Sequence, residues 1–224
     1  MMRIVLLGGG GHASDVLGVL EARNDAGGID GAPIEVVGIL DDNPVDPARF
    51  VGRGVDHLGP IAQLGSLAAT HGATHYVLAA GWPASRHALH RALGPHELTA
   101  ATLVHPTATV SHGVELGEGT VIMAGVHLSP MVRIGRHACC SNHAVAGHDA
   151  VVGDYAGLMP ASVISGSTTI GEGCLVGANA TVIEGRTLGA WAKVGAGAVA
   201  IADIEPGVTV VGVPARAVTP NASP

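Results

Sequence analysis

From Val104 to Ala200, every sixth residue belongs to one narrow chemical set. The series runs Val104, Val110, Leu116, Ile122, Leu128, Ile134, Cys140, Ala146, Val152, Leu158, Ile164, Ile170, Val176, Val182, Leu188, Val194 and Ala200. Fourteen of these seventeen rungs are Val, Ile or Leu, and the other three are small and apolar. Two residues before many rungs stands a second small or β-branched residue, as at Ala108, Thr120, Val126, Ala144, Ala150, Ser162, Thr168, Ala180 and Ala198. The residue after a rung is often Gly or Ser, as at Gly117, Gly135, Gly147, Gly153, Ser165, Gly171 and Gly195. An α-helix needs apolar residues at i, i+3, i+4 and i+7, and a plain strand needs alternation; a period of six fits neither. Held over about a hundred residues, such a period marks a repeat architecture whose units bury their apolar faces against each other.

The physical reading is a parallel β-helix. Each hexad supplies one short strand and one turn, and three hexads close a triangular coil. The rungs then point into the prism and stack at the ~4.8 Å spacing of neighbouring strands. Glycine after the rung is expected to turn the corner with φ > 0. So narrow a prism excludes rings from its interior, and the chain has only two Trp, two Tyr and one Phe among 224 residues.

Bulk properties exclude several functions. A net charge of −7 with a single lysine, Lys193, argues against nucleic acid or an anionic membrane as partner. Thirteen histidines shift that balance near pH 6. No apolar run reaches the ~18 residues of a membrane span, and Arg3 is followed by a short apolar strand and glycines rather than a signal-peptide pattern. Cys139, Cys140 and Cys174 form no disulfide framework, so free thiols in the cytoplasm are expected.

The first hundred residues follow another rule. Met2 to Leu7 reads as a buried strand ending in Gly8-Gly9-Gly10-Gly11-His12, and Ser14 to Ala22 has helical spacing with Ser14 as its N-cap. Ile34 to Leu40 is a second strand running into Asp41-Asp42-Asn43-Pro44. Ile61 to His71 and Ala84 to Leu93 read as helices flanking a third strand, Tyr76 to Ala80. This alternation implies a Rossmann-like parallel sheet over 1–100, ahead of a β-helix over 101–218 and a flexible tail over 219–224. Glycines after the first strand admit a phosphate to the helix N-terminus, and an acid after the second suits a ribose hydroxyl. The turn is not a clean G-x-G-x-x-G and the unit is short, so a mononucleotide pocket fits better than a dinucleotide site.

The whole chain resembles the hexapeptide-repeat sugar O- and N-acyltransferases, which include sialic acid O-acetyltransferases and N-acetyltransferases of nucleotide-linked 4-amino-sugars. The likeness rests on Gly8 to His12, Val37 to Asn43, Ala79-Ala80-Gly81, the junction Thr102 to Ala108, and the finish Val194 to Val199 with Pro206-Gly207 and Gly212 to Arg216. It implies a left-handed β-helix and a homotrimer. It also implies transfer from acetyl-CoA, without a metal, to the amino group of a nucleotide-linked amino-sugar, of the 4-amino-4,6-dideoxy type. O-acetylation of sialic acid or another sugar is the alternative within the class; a non-catalytic scaffold binding sugar nucleotides is the alternative outside it.

On that resemblance His148 is the general base and Asp149 orients it, an arrangement that deprotonates an amine near working pH. They fall where the ladder carries its weakest consecutive rungs, Cys140 and Ala146. Gly166, eighteen residues on, is implied as the N–H donor to the acetyl oxygen, with Gly157, Gly177, Ala178 and Ala196 along the coenzyme. Gly9, Gly10, Gly11, His12, Asp41, Asp42, Ser141 and Asn142 are implied on the substrate side. Some positions depart from the family pattern: Ser141 stands where relatives have Asn, Gly157 where some have a second His, and Trp82-Pro83 where a polar pair is usual. His143 with His148 is similar to the paired zinc ligands of γ-class carbonic anhydrases, but the third ligand position falls on Thr107 and a zinc site needs three.

Overall fold

In the computed structural model, residues 1–29 and 31–218 are described, and the expected tail over 219–224 lies outside them. Strands β1 (Met2–Leu7), β2 (Ile34–Leu40), β3 (His57–Gly59), β4 (His75–Leu78) and β5 (Thr99–Ala100) form a parallel sheet in the order β3-β2-β1-β4-β5. Helices α1 (Gly11–Asp25), α2 (Leu64–His71) and α3 (Pro83–Ala92) cover it. Along β1, Ile4 and Leu6 pack with α1, while Val5 and Leu7 pack with Leu64 and Leu67 of α2. Both faces are thus covered, which is why the strand is an unbroken apolar run. Ser14 is not the N-cap: α1 begins at Gly11 behind Gly10, and Ser14 Oγ instead accepts from Arg53 Nη1 at 2.9 Å.

From Leu103 the chain coils as a left-handed parallel β-helix of two-residue strands. Each strand pairs with the one eighteen residues on, as His127 does with Val145. Face one carries Leu103–Val104 through Lys193–Val194, face two Thr109–Val110 through Val199–Ala200, and face three Glu115–Leu116 through Thr187–Leu188. The rungs from Ile122 to Ala200 and, except for Arg186, the residues two before them, such as Ala144, Ala150, Ser162 and Cys174, are buried inside. Cys140 and Ala146 are fully buried and their strands pair on both sides, so the small rungs interrupt nothing. Val110, in the first coil, lacks a neighbour below and stays 42 % exposed.

The corners differ from expectation. Positive φ falls three residues after the rung, and nine such corners carry a side chain: Met131, His137, His143, Asp149, Tyr155, Ala161, Ser167, Asn179 and Trp191. The glycine directly after the rung serves another purpose. A Cβ on Gly117 would lie 2.6 Å from the amide nitrogen of Arg136 in the next coil, and one on Gly135 would lie 2.5 Å from that of Asp154. Glycine there lets successive coils approach; the left-handed conformation is borne by its neighbours.

The sheet domain docks on face one. Leu103, Val121 and Cys139, stacked in register on the outside of that face, share a core with Ala13, Val16 and Leu20 of α1. Further along, Pro83 of α3 lies over Gly157. Arg86 pins the junction. Its buried guanidinium donates to the carbonyls of His137 (2.9 Å), Ala80 (3.0 Å), Gly81 (2.7 Å), Tyr155 (2.7 Å) and Ala156 (3.1 Å). Five backbone acceptors stand in for a carboxylate, so the buried charge has every N–H satisfied.

Candidate active site

At the C-terminal ends of β1, β2 and β4 opens a cleft of about 480 Å³, bordered by Gly8, Gly10, Gly11, His12, Asp41, Asn43 and Ala79 to Trp82. This is the switch point of the sheet, where β2 and β4 leave β1 on opposite sides. Gly9 lies beneath it, and a Cβ there would overlap Val45. Its N–H donates to Asp41 Oδ2 at 2.7 Å, and the Asn43 N–H donates to Asp41 Oδ1 at 2.8 Å. Burial pushes the Asp41 carboxyl up, but these bonds outweigh it and hold the carboxyl below its usual value. Asp42 is absent from the cleft lining: its Oδ1 accepts from the Ile61 N–H at 2.9 Å and so caps the turn before α2. His12 sits at the back of the cleft, its Nε2 3.7 Å from Cys139 Sγ on face one. Burial, and then the nearby Arg86 charge, bring its pKa down to about 4, so the ring is neutral at pH 7.

His148 and Asp149 occupy the edge between faces two and three, opposite the face that carries the sheet domain. His148 Nδ1 lies 2.8 Å from Asp149 Oδ2. With Nδ1 donating to the carboxylate, Nε2 is left as an acceptor. That nitrogen points up the edge, since a Cβ on Gly166 would lie 2.6 Å from it. Among the described residues the Gly166 N–H has no protein acceptor. A basic nitrogen and an unused amide donor thus adjoin one another across successive coils, which is what acyl transfer requires of an enzyme.

The other sequence-derived positions are divided. Ser141 (buried), Asn142 and His143 lie on the edge between faces one and two, with Gly177, Ala178 and Ala196 above them. Gly157 joins neither edge; it is buried on face one beneath Pro83. His143 extends over Gly125, on a different edge from His148, and no group of three or more His, Cys, Asp or Glu side chains suited to a metal occurs among the described residues. Arg86 and Trp82 were not legible as site residues. The signal was the spacing Pro83, Arg86, His87, His90, a helical stripe at i, i+3, i+4 and i+7 that is polar, so it does not read as a buried face.

Three comparisons bear on this geometry. Residues 149–184 and 167–200 match the bacterial transferase hexapeptide (six repeats) model. A mutant of perosamine N-acetyltransferase from Caulobacter crescentus, in complex with CoA and GDP-perosamine, is 33 % identical with a TM-score of 0.86, over 98 % of each chain. The acetyltransferase domain of PglB from Neisseria gonorrhoeae, in complex with acetyl coenzyme A, is 27 % identical with a TM-score of 0.84, over 96 % of this chain and 98 % of that one. The protein belongs to the hexapeptide-repeat acyltransferase family. Within it, UDP-N-acetylbacillosamine N-acetyltransferase of Bacillus subtilis is 34 % identical over 124 residues, 55 % of this chain and 52 % of the relative. The chain spans about half the length of the curated relatives it matches.

Proposed function

We propose that the protein transfers the acetyl group of acetyl-CoA to the amine of a nucleotide-linked 4-amino-sugar. The observation that carries this reading is His148 Nε2 poised over Gly166, with Nδ1 held by Asp149. The sugar amine attacks the thioester carbon while His148 Nε2 takes its proton, and the Gly166 N–H donates to the oxyanion that forms. Collapse expels the CoA thiolate, and the imidazolium returns the proton to it. Amide and free thiol are the products, and no acyl-enzyme is formed. In the cleft, the Gly8 to His12 turn receives the pyrophosphate at the α1 N-terminus, and Asp41 with Asn43 receives the nucleoside. The relatives crystallised with CoA and GDP-perosamine, or with acetyl coenzyme A, support both ligand classes.

Within one chain the cleft overlies face one, whereas His148 stands on the opposite edge. A single prism therefore does not bring nucleotide and base together. We place the reaction in a homotrimer, with a sugar held by one subunit reaching the His148 of its neighbour and the coenzyme lying between prisms. Support comes from face two, whose outward residues Thr109, His127, Val145, Val163, Thr181 and Val199 carry no carboxylate, Lys or Arg. Among the described residues no helix is long and apolar enough to cross a membrane. Its proposed substrates place the enzyme in the cytoplasm.

Free-thiol release from acetyl-CoA, measured with GDP-, UDP- and dTDP-linked 4-amino-sugars and with sialic acid, tests the reaction. Turnover of an amino-sugar is expected; thiol release only with sialic acid would replace N- by O-acetylation. Mixing inactive His148→Ala and Asp41→Ala chains tests the shared site. Mixed trimers regain turnover if cleft and base come from different subunits, and do not if each chain is self-sufficient.

A further inference from the structure

The chain has two tryptophans, and Trp82 leaves 63 % of its surface exposed. It is the N-cap of α3, just beyond the end of β4, and it borders two cavities. One is the glycine-lined cleft. The other is a hollow of about 290 Å³ lined by Leu175 and Lys193 of face one and by Trp191 at the corner beside it. The ring thus stands where a molecule filling the cleft would meet it.

The strand order decides what that surface meets. β1 lies between β2 and β4, and the glycine turn and α1 N-terminus stand at its end. A pyrophosphate there sits centrally, with one flank formed by Asp41 and Asn43 after β2 and the other by Ala79 to Trp82 after β4. A nucleoside diphosphate sugar is linear, with its pyrophosphate in the middle. If the nucleoside lies over β2, the hexose falls over β4. Gly81 offers no side chain there, and the indole is the largest group on that flank, beside Ser85 and Leu89 of α3. A pyranose presents a face of C–H bonds that packs on an aromatic ring while its polar groups point away.

Given the nucleotide-sugar reading above, on which this inference rests, we infer that Trp82 is the platform for the hexose and a determinant of which sugar is accepted. The C6 methyl of a 6-deoxyhexose would pack on Leu175 and Trp191 in the hollow behind Trp82, which Lys193 also lines.

The two-tryptophan composition provides a direct readout. In Trp191→Phe, checked for an unchanged melting profile, Trp82 is the sole indole and its emission reports on its own surroundings. GDP, UDP or dTDP alone should leave that emission nearly unchanged, whereas the matching 4-amino-4,6-dideoxyhexose conjugate should shift or quench it. If Trp191→Phe fails to fold, the difference between wild type and Trp82→Ala gives the same signal. Trp82→Ala should raise KM for the nucleotide sugar about tenfold, with kcat and KM for acetyl-CoA within about twofold, and Trp82→Phe should recover most of the loss. An equal emission response to nucleoside diphosphate and nucleotide sugar would overturn the assignment by placing Trp82 on the nucleotide half. Wild-type turnover with a silent Trp82 and normal KM in Trp82→Ala would also overturn it. A sugar-specific emission change in an enzyme that acetylates none of the panel would instead sink the acetyltransferase reading and keep the platform.

Discussion

Gly166 shows how much a missing side chain can decide. Its lack of a Cβ leaves room for the His148 ring, and its N–H stays unused among the described residues. Gly166→Ala is therefore expected to swing the imidazole aside and lower kcat by roughly 10²-fold or more, the scale of losing a positioned acid–base group. KM for both substrates should move far less, because ground-state contacts are spared. His148→Ala should lose roughly 10²–10⁴ in kcat, Asp149→Asn less, and His143→Ala least, since it lies on another edge. Steady-state kinetics of the four variants settle the order; a His143→Ala defect equal to that of His148→Ala would move the chemistry to another edge. The adjacency of His148 and Gly166 was legible from their eighteen-residue spacing. Asp42 was misjudged because adjacent carboxylates look alike in sequence, whereas a strand end sends neighbouring side chains to opposite sides.

At the scale of elements, α3 and the edge between faces three and one hold the molecule together. The left-handed corners His137 and Tyr155 stack with ring centroids 5.5 Å apart, and His90 of α3 packs against both. Tyr155 hydroxyl bonds His90 Nδ1. His137 Nδ1 is buried without a partner among the described residues. Burial, then the neighbouring His90 and Arg136 charges, lower the His137 pKa from 6.5 to about 4, with Asp154 opposing. Between those values the unfolded chain binds a proton that the folded chain refuses. The contribution is therefore complete above pH 6.5 and is lost as pH falls toward 4. Denaturant unfolding across that window should show a falling midpoint. His137→Asn should start lower, from lost packing, but show a shallower fall; an unchanged slope would assign the acid sensitivity to His12 and the other histidines. The long elements were readable because strand and helix periods span several turns. β3 and β5, at three and two residues, are too short to carry a period. The α3 stripe was hidden because its docking residues satisfy one another by hydrogen bonds and ring contacts rather than by apolarity.

For the whole molecule, face two is where association should be tested. Val163 lies on its outside, paired with Val145 and Thr181. Val163→Glu would set a charge on that surface without touching the inward rung Ile164. Light scattering should then report a monomer with an unchanged far-ultraviolet spectrum, and acetyl transfer should disappear with assembly; a trimer that persists would put the contact on another face. The repeat that shapes this surface also governs how the gene can change. Strands pair at a separation of eighteen residues along the whole prism. Losing or gaining a single codon would rotate every later rung out of register. A change of eighteen codons removes or adds one storey and leaves all others as they were. The storeys on which the sheet domain docks, from Leu103 to Gly157, and those that bring His148 to Gly166 must stay adjacent, so length in such genes is expected to vary in whole storeys beyond Gly166.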